Sequence, residues 1–184
     1  MNWNFVGLED VNPVPWRNGG GVTRELLAWP DGGHWRLRMS VAEVAQDGPF
    51  SRFDGVERWF AVLAGAGVRL RLDGATHALT TDSAPFRFDG GAATDCALVA
   101  GPTHDFNLML QGGHGRMQRV QGALAGAGRA GQLVAVYGGP AGARVSVGDE
   151  QLETGPQTLA WRILDADCAL RIEAPDALWM EIDT

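Results

Sequence analysis

Apolar and polar side chains alternate along Val68-Arg-Leu-Arg-Leu72 and along His34-Trp-Arg-Leu-Arg-Met-Ser-Val-Ala-Glu-Val44. A period of two belongs to an extended strand, whose successive side chains point to opposite faces. In the longer run Trp35, Leu37, Met39 and Val41 share one face and Arg36, Arg38 and Ser40 the other. Asp105-Phe-Asn-Leu-Met-Leu110 alternates as well, with Asp105, Asn107 and Met109 on one face. Turn signals separate the runs: Asp31-Gly32-Gly33, Asp73-Gly74, Asp89-Gly90-Gly91 and Gly138-Gly139-Pro140. The 26 glycines among 184 residues are twice the usual ~7% and are spread along the chain, as many tight turns require. Segments with helical periodicity are scarce. This patterning predicts an all-β protein, a sandwich or barrel of short strands.

The runs also recur. Phe60-Ala-Val-Leu-Ala-Gly65 followed by Val68-Arg-Leu-Arg-Leu72 is echoed by Val134-Ala-Val-Tyr-Gly-Gly139 and Ala143-Arg-Val-Ser-Val147. Phe86-Arg-Phe88 is echoed by Trp161-Arg-Ile163, and Thr94-Asp-Cys-Ala-Leu98 by Ala166-Asp-Cys-Ala-Leu170. Four matches in one order predict two tandem β-units, residues 1–105 and 106–184, too small to be comfortable apart and therefore closely joined. The Gly/Ala-rich stretch from Gln111 to Arg129 is expected to join them over the surface. Cys96 and Cys168 fall at matching positions, fit no CxxC pattern, and read as reduced thiols in strands.

Charge and motif content narrow the function classes. The formal net charge is −7, from 22 acidic side chains against 15 basic ones, all arginine. Nucleic-acid and anionic-membrane binding need a basic face, so neither is expected. No run approaches ~18 apolar residues. The opening Met1-Asn-Trp-Asn-Phe-Val-Gly-Leu-Glu-Asp10 has no basic stretch before an apolar one, so a cytoplasmic protein is expected. His34, His77, His104 and His114 share no ligand spacing, so no metal is expected and no cofactor is called for. No GxSxG elbow is present and neither Cys has an activating context, so no catalytic residue is assigned.

The strongest local signal is Pro15-Trp-Arg-Asn-Gly-Gly-Gly-Val-Thr-Arg-Glu25. Three glycines after Asn18 allow close backbone approach, and their N–H groups suit an anion; the same run also suits a simple turn into a strand. Arg36, Arg38 and Ser40 on one face either meet solvent or, inside a barrel, require a counter-charge or an anion. Asp105 and Asn107 read equally as partners of Arg38, as ligand-orienting groups, or as members of a structural ion pair. Gly48-Pro-Phe-Ser-Arg-Phe-Asp-Gly55 reads as a loop over an opening, with Phe50 and Phe53 as walls or as core.

Taken in order, Trp16-Arg-Asn-Gly-Gly-Gly-Val-Thr-Arg-Glu25, Arg38-Met-Ser-Val-Ala42, Gly48-Pro-Phe-Ser51, Glu57-Arg58, Leu63-Ala-Gly65 and Asp105-Phe-Asn-Leu-Met109 resemble the HutD/Ves family. Its pattern is a Trp-Lys-Asn-Gly-Gly-Gly run with Thr and Glu following, an Arg-x-Ser strand, a Gly-Pro-Phe-Ser loop and an Asp-x-Asn-x-Met strand. The match runs from Trp16 onward, with little motif in the C-terminal half. Arg17 stands where Lys is common, and a guanidinium forks over a carboxylate where an ammonium is a point charge.

The resemblance implies a cupin-like bicupin, usually a homodimer, without metal-binding histidines. It also implies an association with histidine utilization through binding of a small acidic metabolite such as urocanate or formylglutamate. The motif positions carried over are Trp16, Asn18, Gly19, Gly20, Gly21 and Thr23, with Glu25, Arg38, Ser40 and Phe50, and with Ser51, Arg58, Asp105, Asn107 and Met109. The ligand-binding expectation places Arg38 on the carboxylate with Arg17 or Arg58 in support. The Asn18-Gly-Gly-Gly21 backbone, Ser40 and Asn107 then supply neutral hydrogen bonds, Trp16 and Phe50 the walls, and Asp105 the orientation, with Ser51 also among the ligand-binding residues. Two rivals remain: an enzyme using His104, Asp105 and Glu25 as acid and base, and a regulator that acts through a protein partner.

Overall fold

The computed structural model describes residues 2–31 and 33–183. Almost all regular structure is strand, with one turn of 3-10 helix at Leu8–Asp10. The first strands are β1 (Asn4–Gly7), β2 (Val14–Pro15), β3 (Gly21–Trp29), β4 (Leu37–Val44), β5 (Gly48–Pro49) and β6 (Val56–Ala64). Next come β7 (Val68–Leu72), β8 (Ala75–Leu79), β9 (Phe86–Asp89), β10 (Asp95–Leu98) and β11 (Thr103–Gln111). The rest are β12 (His114–Gly128), β13 (Gln132–Gly138), β14 (Ala143–Val147), β15 (Glu150–Thr154), β16 (Thr158–Ile163) and β17 (Cys168–Asp183).

The chain divides into two compact units, Asn12–Gly112 and Met1–Val11 with Gly113–Thr184. A boundary at 105/106 falls inside β11, which continues unbroken to Gln111. The N-terminal strand β1 belongs with the second unit because it pairs antiparallel with β16, Asn4 against Trp161. Local periodicity cannot report a pairing between residues so far apart in sequence.

In the unit Asn12–Gly112, a six-stranded sheet (β2-β3-β4-β11-β6-β9) faces a four-stranded one (β5-β10-β7-β8). Their inner faces meet in a cluster that includes Val44, Phe60, Val62, Val68, Leu70 and Cys96. Alternation holds strictly along β7, whose Val68, Leu70 and Leu72 are buried while Arg69 and Arg71 are exposed. The β7–β8 hairpin closes on Asp73 and Gly74 with φ of 51° and 77°, the positive values that a type I′ turn demands at both positions. On β4 and β11 both faces are buried, Leu37, Met39, Phe106 and Leu108 on one and Ser40 and Asn107 on the other.

The second unit repeats this plan in one seven-stranded sheet. Strand β17 pairs with β14 through its first half and with β13 through its second, as β10 and β11 pair with β7 and β6. Its core holds Val134, Val136, Val145, Ile172 and Trp179. The surface connection expected within Gln111–Arg129 is instead largely strand: β12 pairs with β17 from His114–Asp183 to Gly128–Cys168. Gly and Ala on an exposed face carry no alternation, which hides the strand from sequence patterning. Cys96 is buried, Cys168 is half-buried, and both are free thiols; burial pushes the Cys96 thiol up to about 12. No helix among the described residues is long and apolar enough to cross a membrane.

Candidate functional site

The unit Asn12–Gly112 opens into a cleft of about 730 Å³ on the inner face of its larger sheet. Its floor is two rows of side chains set by strand register. Asn107 lies between Ser40 and Phe60, and Met109 lies between Arg38 and Arg58. One wall is the Val14–Asn18 segment, and the other is the loop carrying Pro49, Phe50, Ser51 and Phe53.

The Trp16–Gly21 segment is a tight turn joining β2 to β3. Trp16 N–H donates to Gly21 O at 2.9 Å, and Gly19 N–H donates to Trp16 O at 3.0 Å. Gly20 N–H donates to Asn18 Oδ1 at 2.9 Å. The N–H groups of Gly19 and Gly20 are thus satisfied within the turn, and Gly19, Gly20 and Gly21 do not line the cleft. Their part is conformational. Gly19 has φ +72°, and a Cβ on Gly21 would stand 2.2 Å from Glu43 O and 3.2 Å from the Trp16 ring. This packing, with Trp16 Nε1–H donating to Thr23 Oγ1 at 2.8 Å, holds Trp16, Arg17 and Asn18 at the cleft mouth. Gly21→Ala is expected to cost about 1–3 kcal/mol, read by chemical denaturation. A loss under about 0.5 kcal/mol, the ordinary range for a neutral surface change, would mean that β3 can move off Glu43.

Two arginines face the cleft from the floor, and they differ. Arg38 Nε lies 2.5 Å from Glu25 Oε2 on β3, so it already has its carboxylate. Arg58 has none among the described residues. It is 5% exposed, donates from Nη2 to Asn107 Oδ1 at 2.8 Å, and donates from Nη1 to Ser51 O at 3.3 Å. Its Nε–H has no partner. The guanidinium carbon lies over the rings of Phe50, Phe53 and Phe88 at 5.3, 5.8 and 5.0 Å. Burial, and secondarily the charge of Arg38, pull this guanidinium down to about 10, which leaves it a cation at neutral pH. A buried cation held by one amide oxygen, one carbonyl and three ring faces is short of a counter-charge.

Of the residues singled out in the sequence, Trp16, Arg17, Asn18, Arg38 and Ser40 line the cleft, as do Phe50, Ser51, Arg58 and Asn107. Thr23 and Met109 line it too; Glu25 serves Arg38 instead. Asp105 does not line it. It is 0% exposed inside the unit, two residues from Asn107, and accepts from Thr103 Oγ1 at 2.7 Å. Its Oδ1 has no partner, and burial pushes the carboxyl up to about 7. Arg58 therefore takes its amide oxygen from Asn107, and Asp105 orients no arginine. His104 also lies outside the cleft, paired at 3.5 Å with Glu43. Phe88, which packs on Arg58, stands out in the sequence only as part of the repeat and not as a site residue, because only the β6–β9 register places it opposite Arg58.

The corresponding place in the second unit is filled. In register with Asp105 and Asn107 stand Trp179 and Glu181 on β17. Trp179 is 1% exposed and donates to Glu181 Oε1 at 2.9 Å, and Arg116 Nη2 lies 3.0 Å from the same oxygen. The Trp179 ring is buried there, and Glu181 is paired with the exposed Arg116. Among the described residues no group of His, Cys, Asp and Glu is arranged to hold a metal ion.

The family model for HutD matches residues 8–183. The chain belongs to the HutD family. Among relatives, an uncharacterized 21.2 kDa protein in the hutC 3′ region of Pseudomonas putida is 37% identical over 109 residues, 57% of this chain and 56% of that protein. Protein Ves from Cronobacter sakazakii is 35% identical over 136 residues, 71% of this chain and 75% of that protein. The matched stretch thus spans a little over half of the P. putida relative. HutD from Pseudomonas fluorescens superposes with a TM-score of 0.84 at 28% identity, covering 98% of both chains. A conserved protein of unknown function from Pseudomonas aeruginosa reaches 0.88 at 28% identity over the whole of both. Salicylate 1,2-dioxygenase from Pseudoaminobacter salicylatoxidans, 9% identical with a TM-score of 0.64, shares the fold alone. The fold is cupin-like, as the family resemblance implied.

Proposed function

We propose that this HutD-family chain binds a small carboxylate metabolite in the cleft of the Asn12–Gly112 unit and thereby tunes histidine utilization. The observation that carries the reading is Arg58, a buried cation with no carboxylate among the described residues, facing a cleft of metabolite size. A ligand carboxylate would supply the missing counter-charge through charge-assisted hydrogen bonds. Asn107 holds the guanidinium in place, Phe50 and Phe53 exclude water beside it, and Ser40 and Asn18 offer neutral hydrogen bonds. The names of the relatives support the pathway, one lying in a hutC 3′ region and another being HutD in a formate condition. Urocanate and formylglutamate are the ligands the reading favours.

A thermal-shift panel tests this, with urocanate, histidine, glutamate, formylglutamate, formiminoglutamate and formate each run with and without chelator. Ligand at 100 times its Kd stabilises by about 2.7 kcal/mol, a midpoint rise of roughly 5–11 °C for a chain of this size. The expected result is a chelator-insensitive rise for one or two of the acids. A rise lost with chelator would point to a metal-dependent protein, and a flat panel to a protein partner; either overturns the reading.

A further inference from the structure

Phe53 belongs to two cavities. Beyond the Arg58 cleft, its ring also bounds a second depression of about 600 Å³, to which Trp35, Arg36, Asp54, Val56 and Gln111 contribute. The two are consecutive stretches of one sheet face. Gln111 pairs with Val56 and donates its backbone N–H to Arg36 O at 2.8 Å. Arg36, Gln111 and Val56 thus form the next row beyond Arg38, Met109 and Arg58, at two strand residues or about 7 Å. The Phe53 backbone is pinned, its N–H donating to Gly90 O at 2.8 Å and its carbonyl accepting from Val56 N–H at 3.2 Å. Phe53 is the residue that lines both spaces. Arg36 and Asp54 are both exposed, and neither forms an ion pair among the described residues. The outer depression therefore offers one cation and one anion, neither neutralised by the protein.

The geometry points to an elongated ligand, an α-amino dicarboxylic acid that lies along this face. Its side-chain carboxylate sits on Arg58, its α-carboxylate on Arg36 and its α-ammonium on Asp54, with Phe53 gauging the length between the two ends. The inference rests on the carboxylate reading of the Arg58 cleft and narrows it: an acid with a free amine and a second carboxylate binds more tightly than urocanate or formylglutamate, which lack the ammonium. A zwitterionic head group satisfies both free charges at once, whereas a simple dicarboxylate leaves its second anion beside Asp54 and a monocarboxylate leaves both charges to solvent. Arg36 and Arg58 stand two strands and two residues apart, about 12 Å between backbones, a span that calls for a ligand backbone longer than that of aspartate.

The test is calorimetric titration with aspartate, glutamate, 2-aminoadipate and 2-aminopimelate. Each is compared with the diacid lacking the amine and with the monoacid lacking the second carboxylate. The expected optimum is 2-aminoadipate or 2-aminopimelate, about five- to tenfold tighter than either stripped analogue. Asp54→Asn should remove the gain from the amine and Arg36→Gln the gain from the second carboxylate, while monoacid affinity stays at the parent value. Phe53→Ala should flatten the dependence on length. If monoacids bind through Arg58 but Arg36→Gln and Asp54→Asn leave every ratio unchanged, the second end is wrong and the carboxylate reading stands. If no acid binds, both fall.

Discussion

Methionine in place of Arg58 is expected to weaken carboxylate binding about 10–100-fold while leaving the unliganded protein at least as stable, once the amide it held is also removed. The binding loss is that of one charge-assisted hydrogen bond, about 1.5–3 kcal/mol. The stability argument runs the other way. A guanidinium pulled by burial from its ordinary value down to about 10 is disfavoured as a charge in the folded state. The shift corresponds to about 3 kcal/mol, in order of magnitude. Because the folded value is the lower one, this cost is fully present below about pH 10 and relieved only as pH rises further. Methionine removes the buried charge but leaves Asn107 Oδ1 without its donor, which costs about 1–3 kcal/mol. Arg58→Met with Asn107→Leu removes both, and buried ionic groups replaced in this way by apolar ones are often neutral or stabilising. The double variant should melt at or a few degrees above the parent, at about 2–4 °C per kcal/mol. A melting point more than 5 °C lower, on that same scale, would make Arg58 a structural residue and remove the main support for the ligand site.

The second large effect concerns pH. Asp105 is raised from 3.8 to about 7 by burial, against the opposing pull of the Thr103 hydrogen bond. A carboxyl raised in the folded state binds more protons there than in the unfolded chain at every pH between those two values. Stability therefore falls as pH rises from about 4 to about 7, and the full penalty is present above 7. That upward shift of the carboxyl corresponds to about 4 kcal/mol, in order of magnitude. Asp105→Asn cannot ionise, so it should match the parent near pH 4 and exceed it by several degrees at pH 8. The readout is the difference in melting temperature between Asp105→Asn and the parent across pH, in which every group common to the two cancels. A difference that does not change with pH would mean that Asp105 keeps an ordinary acidity.

What the sequence shows of this molecule follows from the range of the interactions involved. Val68-Arg-Leu-Arg-Leu72 and Asp73-Gly74 announce a hairpin because strand period and turn chemistry are local, and the echo at Ala143–Val147 announces its repeat. The strand β12 was hidden because Gly and Ala leave no polar–apolar contrast to read. Most of the cleft residues were legible as motif, yet their roles were not. Arg38 and Arg58 look alike in the sequence, and register alone separates them: β3 brings Glu25 to Arg38, while β9 and β11 bring Phe88 and Asn107 to Arg58. Asp105 and Asn107 share a strand face, but only Asn107 reaches the opening. The contrast between the units has the same origin, since Trp179 and Glu181 occupy in one the positions of Asp105 and Asn107 in the other.

The claim at the centre of this account is that Arg58 recognises a carboxylate. The most direct test is an equilibrium titration of the parent and Arg58→Met with urocanate and with its uncharged amide, which has nearly the same shape. The parent should prefer the acid by about tenfold or more, the worth of a charged over a neutral hydrogen bond, and Arg58→Met should bind the two almost equally. If Arg58→Met keeps the parent's preference for the acid, the carboxylate is recognised elsewhere and Arg58 is not the residue that reads it.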